Sequence, residues 1–488
     1  MKSMKLRGVF VAVTGALALS FSMGAMADAT FDLVDALVKK GVLTEEEALP
    51  LLAGRENDIK AADKKVNKAA RVTISDAIDN ATLYGDIRVR SEYRKGGGDG
   101  SSAAQVGEEE RTRGRYKITF GVETKADDFY TDLAFAMGNK GRSDNATFAS
   151  GNSVGGTANT ANANGNDNKE VLYVKRAMIG WKMTDWLAVE AGRIKNPLYT
   201  TSMVWDGDLN FEGLAEKVSY DYNKINFFGN FVQSQYLGDY KNFSGTSTLA
   251  ATSNDRITNN ILAFQGGLKF PITDAISAKA ALTFTTYSNN KSNGNNSQNI
   301  FVPILTGNGT GISGTNTGTN DLRTIEFPAE VEFKTPGNLS YKVFGDYVYN
   351  TAGSDRFNNA VANAGANAAK VQAAGNDDTA WLLGAGIASA QASKPSKGDW
   401  QAKVWWQDTG IYALDQNAVD SDLMDSRINM KGAVAKATYT LRSNVFVDVT
   451  GATATKKNKA LATNGTDGDI GLDLNKYQLL QLDLTYKF

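Results

Sequence analysis

From Thr82 to Phe488 apolar and polar residues alternate with a period of two. Over residues 82–93, Leu83, Ile87 and Val89 share one side, while Asp86, Arg88, Arg90 and Glu92 share the other. Successive side chains of an extended strand point to opposite faces, so this pattern predicts a strand with one apolar and one charged face. Residues 113–123 repeat it, with Tyr116, Ile118, Phe120 and Val122 opposing Arg113, Arg115, Lys117 and Glu123. In residues 261–270, Leu262, Phe264, Leu268 and Phe270 oppose Gln265 and Lys269. The same segmentation places strands near 82–93, 112–123, 129–138, 170–183, 186–195, 213–222, 224–234, 260–270, 276–287, 323–334, 339–350, 379–388, 399–407, 430–438, 444–452 and 477–488. These are about sixteen segments of roughly ten residues, the length that crosses a bilayer when tilted. Charged faces are costly against a dry core but fit an interior that lines water.

The connections carry the same message. Short links at 125–128, 184–185, 221–224, 271–275 and 335–338 alternate with long polar stretches at 139–169, 289–322 and 351–378. An outer-membrane barrel has short turns at one end and long loops at the other. After the first 27 residues no run of about twenty apolar residues occurs, so a membrane-spanning protein of this sequence must use a closed barrel. The expected fold class is therefore all-β: a transmembrane antiparallel β-barrel of about sixteen strands over residues 81–488, preceded by a short α-helical segment.

Before Thr82 the pattern differs. Lys2, Lys5 and Arg7, the apolar stretch 9–21 and Ala25-Met26-Ala27 read as a signal peptide over residues 1–27. In residues 28–80, Phe31, Val34, Leu37 and Val38 fall at helical spacing, Gly41 ends that helix, and Thr44 to Glu47 is a capping-box start for a second. Ile59, Val66 and Thr73, with Ala62 and Ala69, lie at seven-residue steps, which suits either a coiled-coil stalk or a solvated linker. An even strand count would put these helices on the periplasmic side of the barrel.

Composition narrows the chemistry. The 488 residues include 48 Gly, 7 Pro, no Cys and no His. Disulfides, thiolate metal sites and haem attachment through Cys-x-x-Cys-His are excluded, as are histidine-based catalysis and histidine-ligated metals. No cofactor is expected. Loss of Lys2, Lys5 and Arg7 from 52 basic and 53 acidic residues would leave a net charge of −4, with no general attraction to nucleic acid. The acidic run Glu108-Glu109-Glu110 reads as solvated surface, so a carboxylate enzyme has little in its favour and the expectation is that the chain is not an enzyme.

Residues 83–90 (LYGDIRVR), 37–47 (LVKKGVLTEEE), 191–197 (AGRIKNP) and 204–213 (VWDGDLNFEG) resemble the bacterial putative-porin family. That resemblance implies passive diffusion of small hydrophilic solutes or ions through a water-filled pore in the outer membrane of a Gram-negative cell, often as a homotrimer embedded in outer-membrane lipid. The C-terminal strand, with Leu480, Leu482, Leu484, Tyr486 and Phe488 on one face, looks like the signal read by the barrel-assembly machinery. Arg88 and Arg90 would meet Arg113 and Arg115 across the first hairpin, and with Lys117 they form a basic wall compensated by carboxylates or permeating anions. Arg176, Arg193 and Lys195 would extend the wall, with an irregularity near Val189, while Glu330 and Glu332 would point inward farther round. In porins of similar architecture the third long loop narrows the lumen with carboxylates, which here would be Asp206, Asp208 and Glu212. Two other readings remain open: a barrel sheathing a partner such as an electron-transfer cytochrome, and an exported soluble all-β binding protein.

Overall fold

The computed structural model describes residues 78–98, 107–138, 143–148, 171–240, 257–287, 322–336, 339–389, 395–463, 470 and 473–488. The signal peptide, the N-terminal helices and the heptad segment lie outside these residues. The chain divides into two units, 1–78 and 79–488, and the second is the barrel.

Sixteen long strands form it among the described residues: β1 (Asn80–Gly97), β2 (Glu109–Ala126), β3 (Phe129–Gly138), β4 (Val171–Lys182), β5 (Leu187–Lys195), β6 (Asn210–Tyr222), β7 (Ile225–Tyr240), β8 (Ile257–Pro271), β9 (Ile276–Tyr287), β10 (Arg323–Glu326 and Ala329–Lys334), β11 (Ser340–Asn350), β12 (Thr379–Ala388), β13 (Trp400–Thr409), β14 (Met430–Arg442), β15 (Val445–Lys456) and β16 (Lys476–Lys487). Pro328 interrupts β10, since proline cannot donate to the ladder. A two-residue bridge at Ala146–Thr147 pairs with β2 at Tyr116 and Arg115. Each strand is antiparallel to its neighbours, and β1 pairs with both β2 and β16. The seam closes where the amides and carbonyls of Gly85 and Phe488 exchange hydrogen bonds at 3.0 Å.

Every one of the sixteen expected strands is found, with ends displaced by a few residues. Short turns carry the conformations their residues favour. Asn223 and Lys224 both have positive φ (46° and 67°), the signature of a two-residue type I′ hairpin. One expectation needs correction: residues 351–378 are more than a polar loop, because they carry α1 (Gly353–Asn363) and α2 (Ala368–Ala374). Val371 and Ala360 bury one side of this pair, so the Ala-rich stretch has a face to pack.

The two faces of the barrel are chemically inverted relative to a soluble protein. Leu83, Ile87, Val89, Phe120, Leu133, Ile179, Leu383, Val404, Leu480, Leu482 and Leu484 are exposed on the outside. The alternate residues Arg90, Glu92, Arg113, Arg115, Asp132, Gln481 and Asp483 are buried inside. Toward the long-loop end the interior is packed, since Ile411, Tyr412, Leu414, Val419 and Met424 of the 410–429 connection join Leu382, Trp405, Val434, Tyr477 and Leu479 of the wall in one apolar cluster. Toward the short-turn end it opens into a cavity of about 1370 Å³.

Placing an arginine on the outer face at Leu482, midway along β16, should cost about 2–4 kcal/mol in a bilayer, whereas Thr438→Arg, facing the cavity, should cost under about 1 kcal/mol. Denaturant titration of vesicle-reconstituted protein, followed by loss of barrel mobility on unheated gels, measures both.

Candidate functional site

Two connections turn into the lumen. Residues 196–209 join β5 to β6, and residues 410–429 join β13 to β14. The first is pinned across the lumen to the far wall. Gln265 of β8 accepts from the Tyr199 amide at 2.8 Å and donates to its carbonyl at 2.9 Å. The hydroxyls of Thr200 and Thr201 donate to Glu326 and Asp346, each at 2.6 Å. The second connection meets the first edge on: the Asp206 amide donates to the Ala418 carbonyl at 2.6 Å, Asp420 to Ser202 at 3.2 Å, and Ser421 to the Asp206 carboxylate at 2.9 Å. Together they partition the lumen.

The hairpin register gathers the cations of β1 and β2 into a basic wall. Arg88 pairs with Lys117, Arg90 with Arg115 and Glu92 with Arg113 between β1 and β2. Burial of so many cations requires matching acids, and these converge on the wall. Glu92 holds Arg94 at 2.9 Å and Arg113 at 2.6 Å, and accepts from Gln481 at 2.9 Å. Asp483 of β16 takes Arg90 in a two-pronged contact at 2.7 and 2.8 Å. From the 410–429 connection, Asp422 reaches Arg90 at 2.7 Å and Asp425 reaches Arg94 at 2.8 Å. Asp425 and Ser426 sit at positive φ (58° each), a strained backbone that the Arg94 and Arg427 contacts to Asp425 hold in place. The wall is thus covered: Arg90 is 4% exposed and Arg115 3%. Among the acids carried by β1 and β2 themselves, Glu92 compensates the wall, Asp86 lines the cavity, and Glu123 stands opposite Asp132.

Lys117 meets Asp208 of the 196–209 connection at 3.2 Å and Asp144 at 3.1 Å. Lys175 contacts the same two acids. It reaches them through a β-bulge in β4, where the register against β3 slips between Ala134 and Phe135 and turns both Lys175 and Arg176 inward. Arg176 pairs with Asp132 and donates to the Tyr84 hydroxyl. Glu330 and Glu332 line the cavity, and Glu330 meets Lys342 at 3.1 Å.

Three expected positions lie elsewhere. Arg193 and Lys195 alternate with Ile194, which is buried in the inner apolar cluster, so both stand on the outer face of β5. Glu212 belongs to β6 rather than to a loop; it alternates with the buried Phe211, and its partner is Arg193 on that outer face. The bulge at Lys175 and the positive φ of Gly192 (117°) conceal this parity in the sequence. Asp206 and Asp208 do belong to an inward connection, but the acids facing the arginines, Asp422 and Asp425, come from residues 410–429. No local pattern in residues 410–429 marks those acids, because their partners lie on strands far away in the chain.

The loop acids divide electrostatically. Burial, reinforced by the charge of Asp208, raises Asp206 from 3.8 to about 6. Burial and the charges of Asp206 and Asp422 raise Asp420 to about 7. Burial would also raise Asp208 and Asp422, but Lys117 and Lys175 overcome it for the first, and Arg90, Arg115 and Arg94 for the second, leaving both below the ordinary value. Folded values above the unfolded one mean that Asp206 and Asp420 stabilise the contact fully below the unfolded value and lose that contribution as pH rises through about 6 to 7. Asp208 and Asp422 contribute above 3.8 and lose it as pH falls further.

A closed barrel with an apolar exterior, a charged interior and in-folded loops is the architecture of a porin-type channel. The family model described as "Putative porin" matches residues 101–307, so the chain is similar to that family over this stretch, which includes two of the four motifs that carried the resemblance. The low-pH structure of Pseudomonas putida OprB is a distant structural likeness, with a TM-score of 0.41 and 10% identity over 84% of this chain and 92% of that one. No curated protein matches.

Glu92→Ala should destabilise the barrel by about 3–5 kcal/mol, because it strands several buried guanidinium groups, whereas Glu330→Ala, from a half-exposed pair, should cost under about 1 kcal/mol. Equilibrium unfolding compares them. Amide protection at Ser421, corrected for intrinsic exchange, should be greatest near about pH 4 to 5 and fall toward pH 8; in Asp206→Asn the fall should be smaller.

Proposed function

We propose that this chain is an outer-membrane porin-type channel that passes small hydrophilic solutes or ions by passive diffusion. The observation that carries the reading is the inversion of faces within one closed barrel: leucines and aromatics outside, ion pairs and a cavity of about 1370 Å³ inside. A barrel of this kind satisfies every backbone group in lipid while keeping a polar interior. The match to the putative-porin family supports the same reading and favours a channel over an enzyme.

The route for solute follows the cavity beside Tyr199 to Ser202 and is limited by the contact between the two in-folded connections. The arginine wall is not the selectivity surface in this reading, because its charges are covered and paired. A sheath around a partner protein is disfavoured, since the chain's own residues 410–429 and α1 fill the long-loop half of the interior. The strand β1 starts beside Lys125 at the short-turn end, where β16 also finishes, which supports a periplasmic position for that end. Recognition of the strand ending at Phe488 by the assembly machinery, and association as a homotrimer, belong to the same proposal.

Planar-bilayer recording on the purified full-length protein tests it. Stepwise conductance is expected, small because of the partition, and Asp206→Ala should raise the unitary conductance by weakening the contact between the two connections. A protein that inserts and never conducts, in either form, would sink the proposal.

A further inference from the structure

We infer that the lumen wall around Lys403 is a binding site for a small oxyanion of the carboxylate or phosphate class, an inference that builds on the channel reading above. Lys403 on β13 and Lys436 on β14 are register partners on the inward face. Directly opposed residues hold their Cβ atoms about 5 Å apart, and like charges so placed repel. Asp420, the acid whose charge reaches Lys403, is held by the amides of Asp422 and Leu423, and Lys403 makes no ion pair among the described residues. Its ammonium group instead lies 5.2 Å from the Trp405 ring.

The other neighbours make a notch there. On the far side of Lys403 the register partner is Gly386 of β12, and the partner of Gly386 in turn is Lys342 of β11. No side chain therefore stands between Lys342 and Lys403, two strand spacings or about 10 Å apart. Asp86 and Glu332 also line the cavity, Glu332 in register with Lys342, and the remaining acids are committed to the flanks. Glu330 holds Lys342 at 3.1 Å, Asp448 lies 4.0 Å from Lys436, and the Asp399 carboxylate accepts from the Ser396 amide at 2.6 Å. Three cations thus border a gap that opens on the cavity, and the central one has no ion-pair partner among the described residues. An oxyanion fits this gap because its several acceptor oxygens can take protons from more than one ammonium group at once. The buried arginine wall is less suited to this role, because Glu92, Asp422, Asp425 and Asp483 already take most of its donors.

Calorimetric titration of the detergent-purified full-length protein with sodium phosphate, and separately with sodium acetate, at constant ionic strength tests the inference. Saturable binding of at least one anion is expected, and which one separates the phosphate from the carboxylate source. Lys403→Gln should weaken that binding by about fivefold or more, the scale of one lost charge contact in a wet site. Lys403→Arg should retain it, and Lys476→Gln, on the outer face, should leave it unchanged. Gel mobility of unheated samples verifies that each variant is a folded barrel. Absence of saturable binding for both anions, or equal affinity in the wild type and Lys403→Gln, overturns the site. A barrel that binds an oxyanion without conducting overturns the channel reading alone, and one that conducts while binding neither anion overturns only this site.

Discussion

Pairing of every main-chain amide and carbonyl within the sheet is the constraint from which the other features descend. Hydrocarbon offers no hydrogen bonds, so an open edge within lipid would leave a row of unsatisfied groups at a cost of several kcal/mol each. The Gly85 and Phe488 exchange removes that edge by joining the first strand to the last. Closure then dictates the alternation. Each strand must offer one residue to lipid and the next to the interior, which is why Leu484 and Leu482 bracket the buried Asp483 and why Val89 separates Arg88 from Arg90.

An interior made this way collects charge, and the chain handles it differently in two sectors. On β1 and β2 the cations are mostly arginines, whose planar forks can bind two or three carboxylates at once. Glu92, Asp483 and the acids of residues 410–429 therefore form a dense network that survives burial. On β11 to β14 the cations are lysines beside a cavity, where water shares the burden of solvation and pairing is partial. The two sectors share one barrel but differ in arrangement: one anchors the in-folded connections, while the other leaves positive charge facing the cavity.

The legible part of this design was the part governed by a strict period. Sixteen strands and the hairpin meeting of Arg90 with Arg115 follow from two-residue alternation plus short turns, since both are local rules. The period fails where the backbone departs from it. The Lys175 bulge and Gly192 shift parity, so strict alternation puts Arg193 and Lys195 on the wrong face, and Glu212 reads as a loop residue although it lies in β6. Residues 410–429 were illegible for a different reason. Their acids serve arginines more than 300 positions away in the chain, and nothing local in the sequence distinguishes a connection that folds inward from one that stays outside.

The contact between the two in-folded connections explains why neither could act alone. Each brings one acid satisfied by wall cations, Asp208 or Asp422, and one acid at the join, Asp206 accepting from the other connection and Asp420 from amides of its own. The satisfied acids fix each connection to the basic sector; the other two are left in a buried space with backbone donors and each other's charge. Attachment to the wall is thus firm, whereas the join between the connections is the weak element, and weak elements are where local opening concentrates. A partition built with strong anchors and a titratable seam can yield at the seam without unfolding the barrel.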